Sequence, residues 1–101
     1  MPKQQSPDPQ PKRATEADGP VVERVQTGVR IEKRILKVLK GLAEYLDMSV
    51  GDLLEGIVLH AFEGKAPFGA ESRKVINDLR RVYGLDLTAR SSHRLKERGN
   101  G

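Results

Sequence analysis

The chain has 101 residues, enough for one small domain, and it contains no cysteine, which excludes a disulfide framework and thiolate metal sites. Lysine and arginine total 18 against 14 acidic residues, so the net charge of +4 favours an anionic partner. The two histidines are far apart and lack companions at ligand spacing, so we expect no metal and no other cofactor. No apolar run approaches the length of a membrane span and no signal-peptide core is visible, so we expect a cytoplasmic protein without a membrane partner.

The first 20 residues contain five prolines and almost no apolar side chains. Such a segment cannot bury enough surface to offset the entropy lost on ordering. We therefore predict a disordered N-terminal tail over residues 1–20.

The next segment alternates strictly between two kinds of residue. One parity carries Val25, Thr27, Val29 and Ile31, and the other carries Arg24, Gln26, Gly28 and Arg30. A period of two predicts a half-buried strand. No second alternating run follows, and a strand without a partner leaves its backbone N–H and C=O groups unpaired. We expect the same strand of a second copy to supply the partner, which makes the protein a homodimer.

Two helices are predicted after the strand. The first covers about Glu32 to Leu46, where apolar residues recur at three- and four-residue spacing. Ser49 is a good N-cap for the second, which runs from about Val50 to Phe62. Glycines at 41 and 56 interrupt these helices, either as tolerated weaknesses or as points of close helix approach.

The stretch RVQTGVRIEKRILKVLKGLAEYLDMSVGDLLEGIVLHAF, residues 24–62, resembles the ribbon-helix-helix (Arc/MetJ-type) family of DNA-binding proteins. The resemblance lies in the apolar pattern and covers well under half of the chain. It implies a mostly α-helical fold with one strand per subunit and an intertwined homodimer. The two strands form an antiparallel ribbon that lies in the major groove. On this interpretation residues 21–64 are the ribbon-helix-helix domain.

A linker and a third helix are predicted over residues 65–87. The helix covers about Ala70 to Tyr83 and ends at Gly84. It either packs on the core or serves as a docking helix for a protein partner. Residues 88–101 are polar and basic, and we expect a disordered tail there.

The outward parity of the strand supplies the candidate base-reading residues, namely Arg24, Gln26, Gly28 and Arg30. Arginine can donate two hydrogen bonds to guanine, and glutamine can pair with adenine. Gly28 has no side chain, so the backbone approaches the groove floor there or specificity is reduced. The alternative interpretation is that these residues are polar because they face water.

The candidate phosphate contacts lie on the two predicted helices. Lys33, Arg34 and Lys37 are at the basic start of the first helix, and Ser49, Val50 and Gly51 begin the second. A helix start presents free backbone N–H groups and a favourable dipole to an anion. An ordinary N-cap explains the second group equally well, and a solvated basic face explains the first.

The resulting hypothesis is a homodimer that binds double-stranded DNA sequence-specifically, on the nucleoid, and represses transcription. An antitoxin that binds its own promoter and masks a toxin with its C-terminal region is one alternative. A dimeric protein-interaction module without DNA binding is another, and a partition or architectural role is a DNA-binding variant. We expect no enzyme, because the sequence contains no plausible Ser/His/Asp grouping and no glycine-rich phosphate loop.

Overall fold

The computed structural model describes residues 19–98, which form three α-helices and one short 3₁₀ helix. The α-helices are α1 (Lys33–Leu46), α2 (Val50–Phe62) and α3 (Ala70–Tyr83). The predicted bounds of α2 and α3 are confirmed. Helix α1 begins one residue later than predicted, because Glu32 is its N-cap and accepts a hydrogen bond from the backbone N–H of Ile35 at 2.9 Å.

The turn between α1 and α2 is built from two local devices. Asp47 ends α1 in the left-handed region, with φ 58°, a conformation that aspartate tolerates better than most residues. Ser49 then caps α2, and its Oγ accepts a hydrogen bond from the backbone N–H of Asp52 at 3.0 Å. The predicted N-cap at Ser49 is therefore confirmed.

The core lies where α1 meets the other two helices. Leu42, Ala43 and Leu53 are buried together. Partly buried side chains from all three helices and from the linker pack around them, namely Leu39, Leu46, Val50, Ile57, Phe68, Val75, Ile76 and Leu79. Helix α3 makes the more extensive contact with α1, so its apolar stripe is used in packing.

Leu79 of α3 packs directly against Gly41 of α1. A Cβ atom built on Gly41 would lie 2.9 Å from Cδ2 of Leu79, closer than carbon atoms can approach without displacement. A Cβ atom on Gly56 would meet nothing within 4 Å in the described part of the chain. Of the two interpretations of these glycines, close helix approach is confirmed at Gly41 only.

The predicted strand and the ribbon-helix-helix fold are wrong. Within residues 19–98 there is no β-strand, and residues 21–31, which we call the arm, have no regular secondary structure. Val25 and Val29, expected on a buried face, are 77 and 71% exposed. The alternation fixes which side chains share a face, but a sheet also needs a hydrogen-bonding partner, and the described chain provides none. A fold defined by a two-stranded ribbon does not fit this three-helix structure.

The structure describes most of the C-terminal segment, residues 88–101, but almost none of the N-terminal segment, residues 1–20. The predicted tail over residues 1–20 lies almost entirely outside the described residues, as do residues 99–101. After α3 and before residue 99, a single turn of 3₁₀ helix spans Ala89–Ser91, and Thr88 is its N-cap. Disorder over residues 88–101 and the division of the chain into domains stay predictions.

The two helical glycines should respond differently to alanine. Gly56→Ala should raise the free energy of unfolding by about 0.5–1 kcal/mol, because alanine is the better helix former and the site is open. Gly41→Ala should raise the free energy of unfolding by less, or should lower it, because the added Cβ atom displaces the Leu79 side chain. Urea denaturation of both variants measures the difference. In a Leu79→Ala background the penalty at Gly41 should disappear, and its persistence there would contradict this packing.

Candidate nucleic-acid interface

Arg24 contacts the beginning of α2. Its Nε and Nη2 atoms each lie 2.8 Å from an oxygen of Glu55, and Nη2 also lies 3.3 Å from Oδ1 of Asp52. The bidentate contact lowers the pKa of Glu55 and raises that of Arg24, mainly through the side-chain hydrogen bonds. Arg24 is therefore engaged by two carboxylates of the same chain.

The other predicted base-reading residues lie further along the arm. Arg30 forms an ion pair with Glu97 near the C-terminus, while Gln26 and Gly28 are exposed. The two arginines are thus held by different elements, α2 and the C-terminal segment. The structure does not assemble the four residues into one surface.

Arg34 connects the start of α1 to the end of α3. Its Nε donates to Glu32 at 2.9 Å, and its Nη1 donates to the backbone carbonyl of Gly84 at 3.0 Å and to Asp86 at 3.2 Å. The hydrogen bond from Arg34 is the main cause of the lowered pKa of Glu32, and the Ile35 N–H adds to it. This residue, predicted as a phosphate ligand, is occupied by contacts within the fold.

Three lysines form an exposed row on α1, which we call the lysine stripe: Lys33, Lys37 and Lys40. They line a groove of about 460 Å³ between α1 and the end of α3, whose floor is formed by Leu36, Gly41 and Tyr83. The Nζ atom of Lys37 lies 5.6 Å from the centroid of the Tyr83 ring, within the range of a cation–π contact. No carboxylate of residues 19–98 lies at ion-pair distance from any of the three ammonium groups.

The sequence pattern predicts phosphate contacts at Lys33 and Lys37 but not at Lys40, and it assigns no role to Tyr83. Positions 33, 37 and 40 share a helix face, so the spacing itself contained the signal for the stripe. Tyr83 could not be found this way, because its place beside Lys37 depends on how α3 crosses α1.

The beginning of α2 is less suited to an anion than its sequence indicated. The N–H of Asp52 is already bonded to Ser49, and Val50 packs against the core. Gly51 is exposed, but the Asp52 carboxylate follows it directly and would repel an anion. Arg24 offsets this negative charge in the described chain.

Residues 19–98 contain no metal-binding cluster and no membrane-spanning helix. No group of three acidic, histidine or cysteine side chains could hold a metal ion. None of the described helices is long and apolar enough to cross a lipid bilayer.

Comparisons of the chain with protein-family models, with curated proteins and with solved structures found no match. The resemblance of residues 24–62 to the ribbon-helix-helix family therefore has no support beyond the apolar pattern itself.

The network around Glu32 should make stability depend on pH. Its folded pKa is lowered, so the ionised carboxylate stabilises the fold above its ordinary value of 4.5, and this stabilisation is lost as the pH falls through the folded pKa. Glu32→Gln should therefore lose less stability than the wild type between about pH 5 and pH 3. Thermal melts across this range measure the slope. Glu44→Gln, at an exposed site on α1 outside this network, is the control for the loss of one negative charge.

Proposed function

We propose that the chain binds double-stranded DNA as a homodimer, that the lysine stripe contacts the phosphate backbone, and that occupation of a DNA site represses transcription. One observation carries the proposal. The three ammonium groups share an exposed face of a rigid helix, and no carboxylate of residues 19–98 neutralises them. Such a row attracts a polyanion and gains free energy by releasing its condensed counterions.

The geometry of the stripe suits a regularly charged ligand. At 1.5 Å rise per residue, Lys37 and Lys40 lie about 6 and 10 Å along the helix axis from Lys33. Flexible lysine side chains at these separations can reach successive phosphates of one strand. The basic face of α3 is a weaker candidate, because Asp78 pairs with both Lys74 and Arg81 there.

Base discrimination is assigned to the arm in this proposal. Arg30 lies only three residues before Lys33 in the chain. When Lys33 contacts a DNA phosphate, the arm is therefore close enough for Arg30 to reach the base edges. Arginine and glutamine are the side chains that read guanine and adenine in the major groove. Arg30 and Gln26 would therefore determine sequence specificity from an arm that is not a strand.

The homodimer is supported by apolar surface that the described chain leaves uncovered. Leu59 and Phe62, at the end of α2, are 62 and 79% exposed, and Val58 beside them is also exposed. Within residues 19–98 the buried hydrophobic side chains are Val38, Leu42, Ala43, Leu53 and Leu85. A core of this size is near the limit for independent folding, so burial of the α2 face against a second copy would add needed stability. A DNA-bound dimer would lie on the nucleoid in the cytoplasm.

Removal of stripe lysines should weaken binding to all DNA sequences alike. The double variant Lys33→Gln/Lys40→Gln should lower the slope of log affinity against log salt by about 1.8 per protomer, since each phosphate contact contributes about 0.9. Fluorescence anisotropy with a selected and a scrambled duplex at several salt concentrations measures this. The change leaves Lys37 and its contact with Tyr83 intact.

The matched control carries the same loss of charge elsewhere. Lys65→Gln/Lys74→Gln removes two exposed lysines that are paired with Glu63 and Asp78, and should leave the slope unchanged. Equal slopes for both double variants would show that the stripe is not the contact. Absence of salt-sensitive binding by the wild type would favour the protein-interaction module.

The dimer should depend on the end of α2. Leu59→Glu/Phe62→Glu places two charges on the exposed apolar face, and burial of such charges in an interface is costly, so the variant should be monomeric. Sedimentation equilibrium at micromolar concentration measures the mass. Val82→Glu is the control, because Val82 is 72% exposed on α3, outside the proposed interface. A wild-type monomer at this concentration would refute the dimer.

A further inference from the structure

The arm and the lysine stripe differ in how their positive charges are used. Both predicted base-reading arginines are in contact with carboxylates of the same chain, Arg24 with Glu55 and Arg30 with Glu97. The stripe lysines have no such partner within residues 19–98. The structure therefore shows an arm whose arginines are already occupied beside a helix whose lysines are open.

The contact at Arg24 has the geometry of ligand recognition. The guanidinium presents two N–H groups to the two oxygens of Glu55, both at 2.8 Å, in the fork arrangement that arginine also uses for phosphate. Asp52 adds a second negative charge on the same side, at 3.3 Å. A guanidinium held in this way cannot offer the same N–H pair to DNA.

We infer that Glu55 and Asp52 are intramolecular competitors of DNA for Arg24, and that they set the affinity of the arm. The inference rests on the proposed function, because it assigns the competing ligand to DNA. Binding of the arm then exchanges a carboxylate for a phosphate or a base edge at Arg24. The lysine stripe, which needs no such exchange, makes the first contact.

The exchange is feasible because the contact is exposed to solvent. The side chains of Arg24, Asp52 and Glu55 are 62, 53 and 47% exposed, so water and salt weaken their attraction. Exposed ion pairs contribute little to stability, and a polyanion that presents many phosphates can displace them. The competition should therefore reduce affinity modestly without preventing binding.

The test is a double-mutant cycle between Arg24 and Glu55. Glu55→Gln removes the competitor and should tighten duplex binding about two- to fivefold per arm, the range expected for one exposed ion pair. In an Arg24→Gln background the same substitution should have no effect, because the released group is absent. Far-ultraviolet circular dichroism of each variant checks that the helices are retained.

Glu63→Gln is the control for the general effect of removing a negative charge. Glu63 is exposed just after α2 and pairs with Lys65 at 3.2 Å, so it matches Glu55 in chemistry but does not contact the arm. It should leave affinity unchanged. Equal gains from Glu63→Gln and Glu55→Gln, or a gain that survives in the Arg24→Gln background, would overturn the inference. Unchanged or weaker binding by Glu55→Gln would also overturn it.

A second probe separates failure of the inference from failure of the proposed function. Long-chain polyphosphate, which has no bases, is titrated while the Arg24 Nε–H resonance is followed by nuclear magnetic resonance. If polyphosphate competes with Glu55, the Arg24 resonance should shift as the protein becomes saturated with polyphosphate. Glu55→Gln should lower the polyphosphate concentration at which the shift is half complete. If no variant binds duplex DNA but polyphosphate gives this result, the competition stands and the DNA proposal fails. A resonance that does not move, or that moves equally in both proteins, overturns the competition.

Discussion

The absence of a side chain at Gly41 of α1 leaves room for Leu79 of α3. It lets α3 lie against the middle of α1, and the two ends of α3 are then fixed by polar contacts. Glu71 accepts a hydrogen bond from the Tyr45 hydroxyl at 2.7 Å, and the Gly84 carbonyl accepts one from Arg34. The same placement brings Tyr83 beside Lys37, so the groove beneath the lysine stripe is a consequence of helix packing.

The charged residues of this small protein serve two different purposes. Arg34 and Glu32 form a partly exposed network that holds the ends of α1 and α3 together. The stripe lysines of the same helix take no part in it. Exposed ion pairs contribute little to stability individually, so the network matters mainly for geometry, because it fixes the direction in which the stripe faces. One helix thus provides both the centre of the fold and the proposed contact with DNA.

The helices could be predicted from sequence because their signals are local. Apolar spacing, the Ser49 cap and the stop at Gly84 all lie within a few residues of the elements they define. The prediction of a strand was wrong, because a ladder needs a second segment and alternation within one segment does not provide it. Among the site residues, the contacts of Arg34 within the fold could not be predicted, because its partners Gly84 and Asp86 are some fifty residues away in the chain. Arg24 and Arg30 were identified as cations, but their carboxylate partners could be seen only after folding.

The positions of the two tyrosines have a practical consequence for spectroscopy. The chain has no tryptophan, and both of its tyrosines, Tyr45 on α1 and Tyr83 on α3, lie where these two helices meet. Helix α2 contains no tyrosine. The near-ultraviolet circular dichroism and tyrosine emission of the protein therefore report on the docking of α3 against α1. The far-ultraviolet circular dichroism reports the helix content of all three helices. Separation of the two signals during denaturation would reveal α3 leaving the core before the helices themselves unwind.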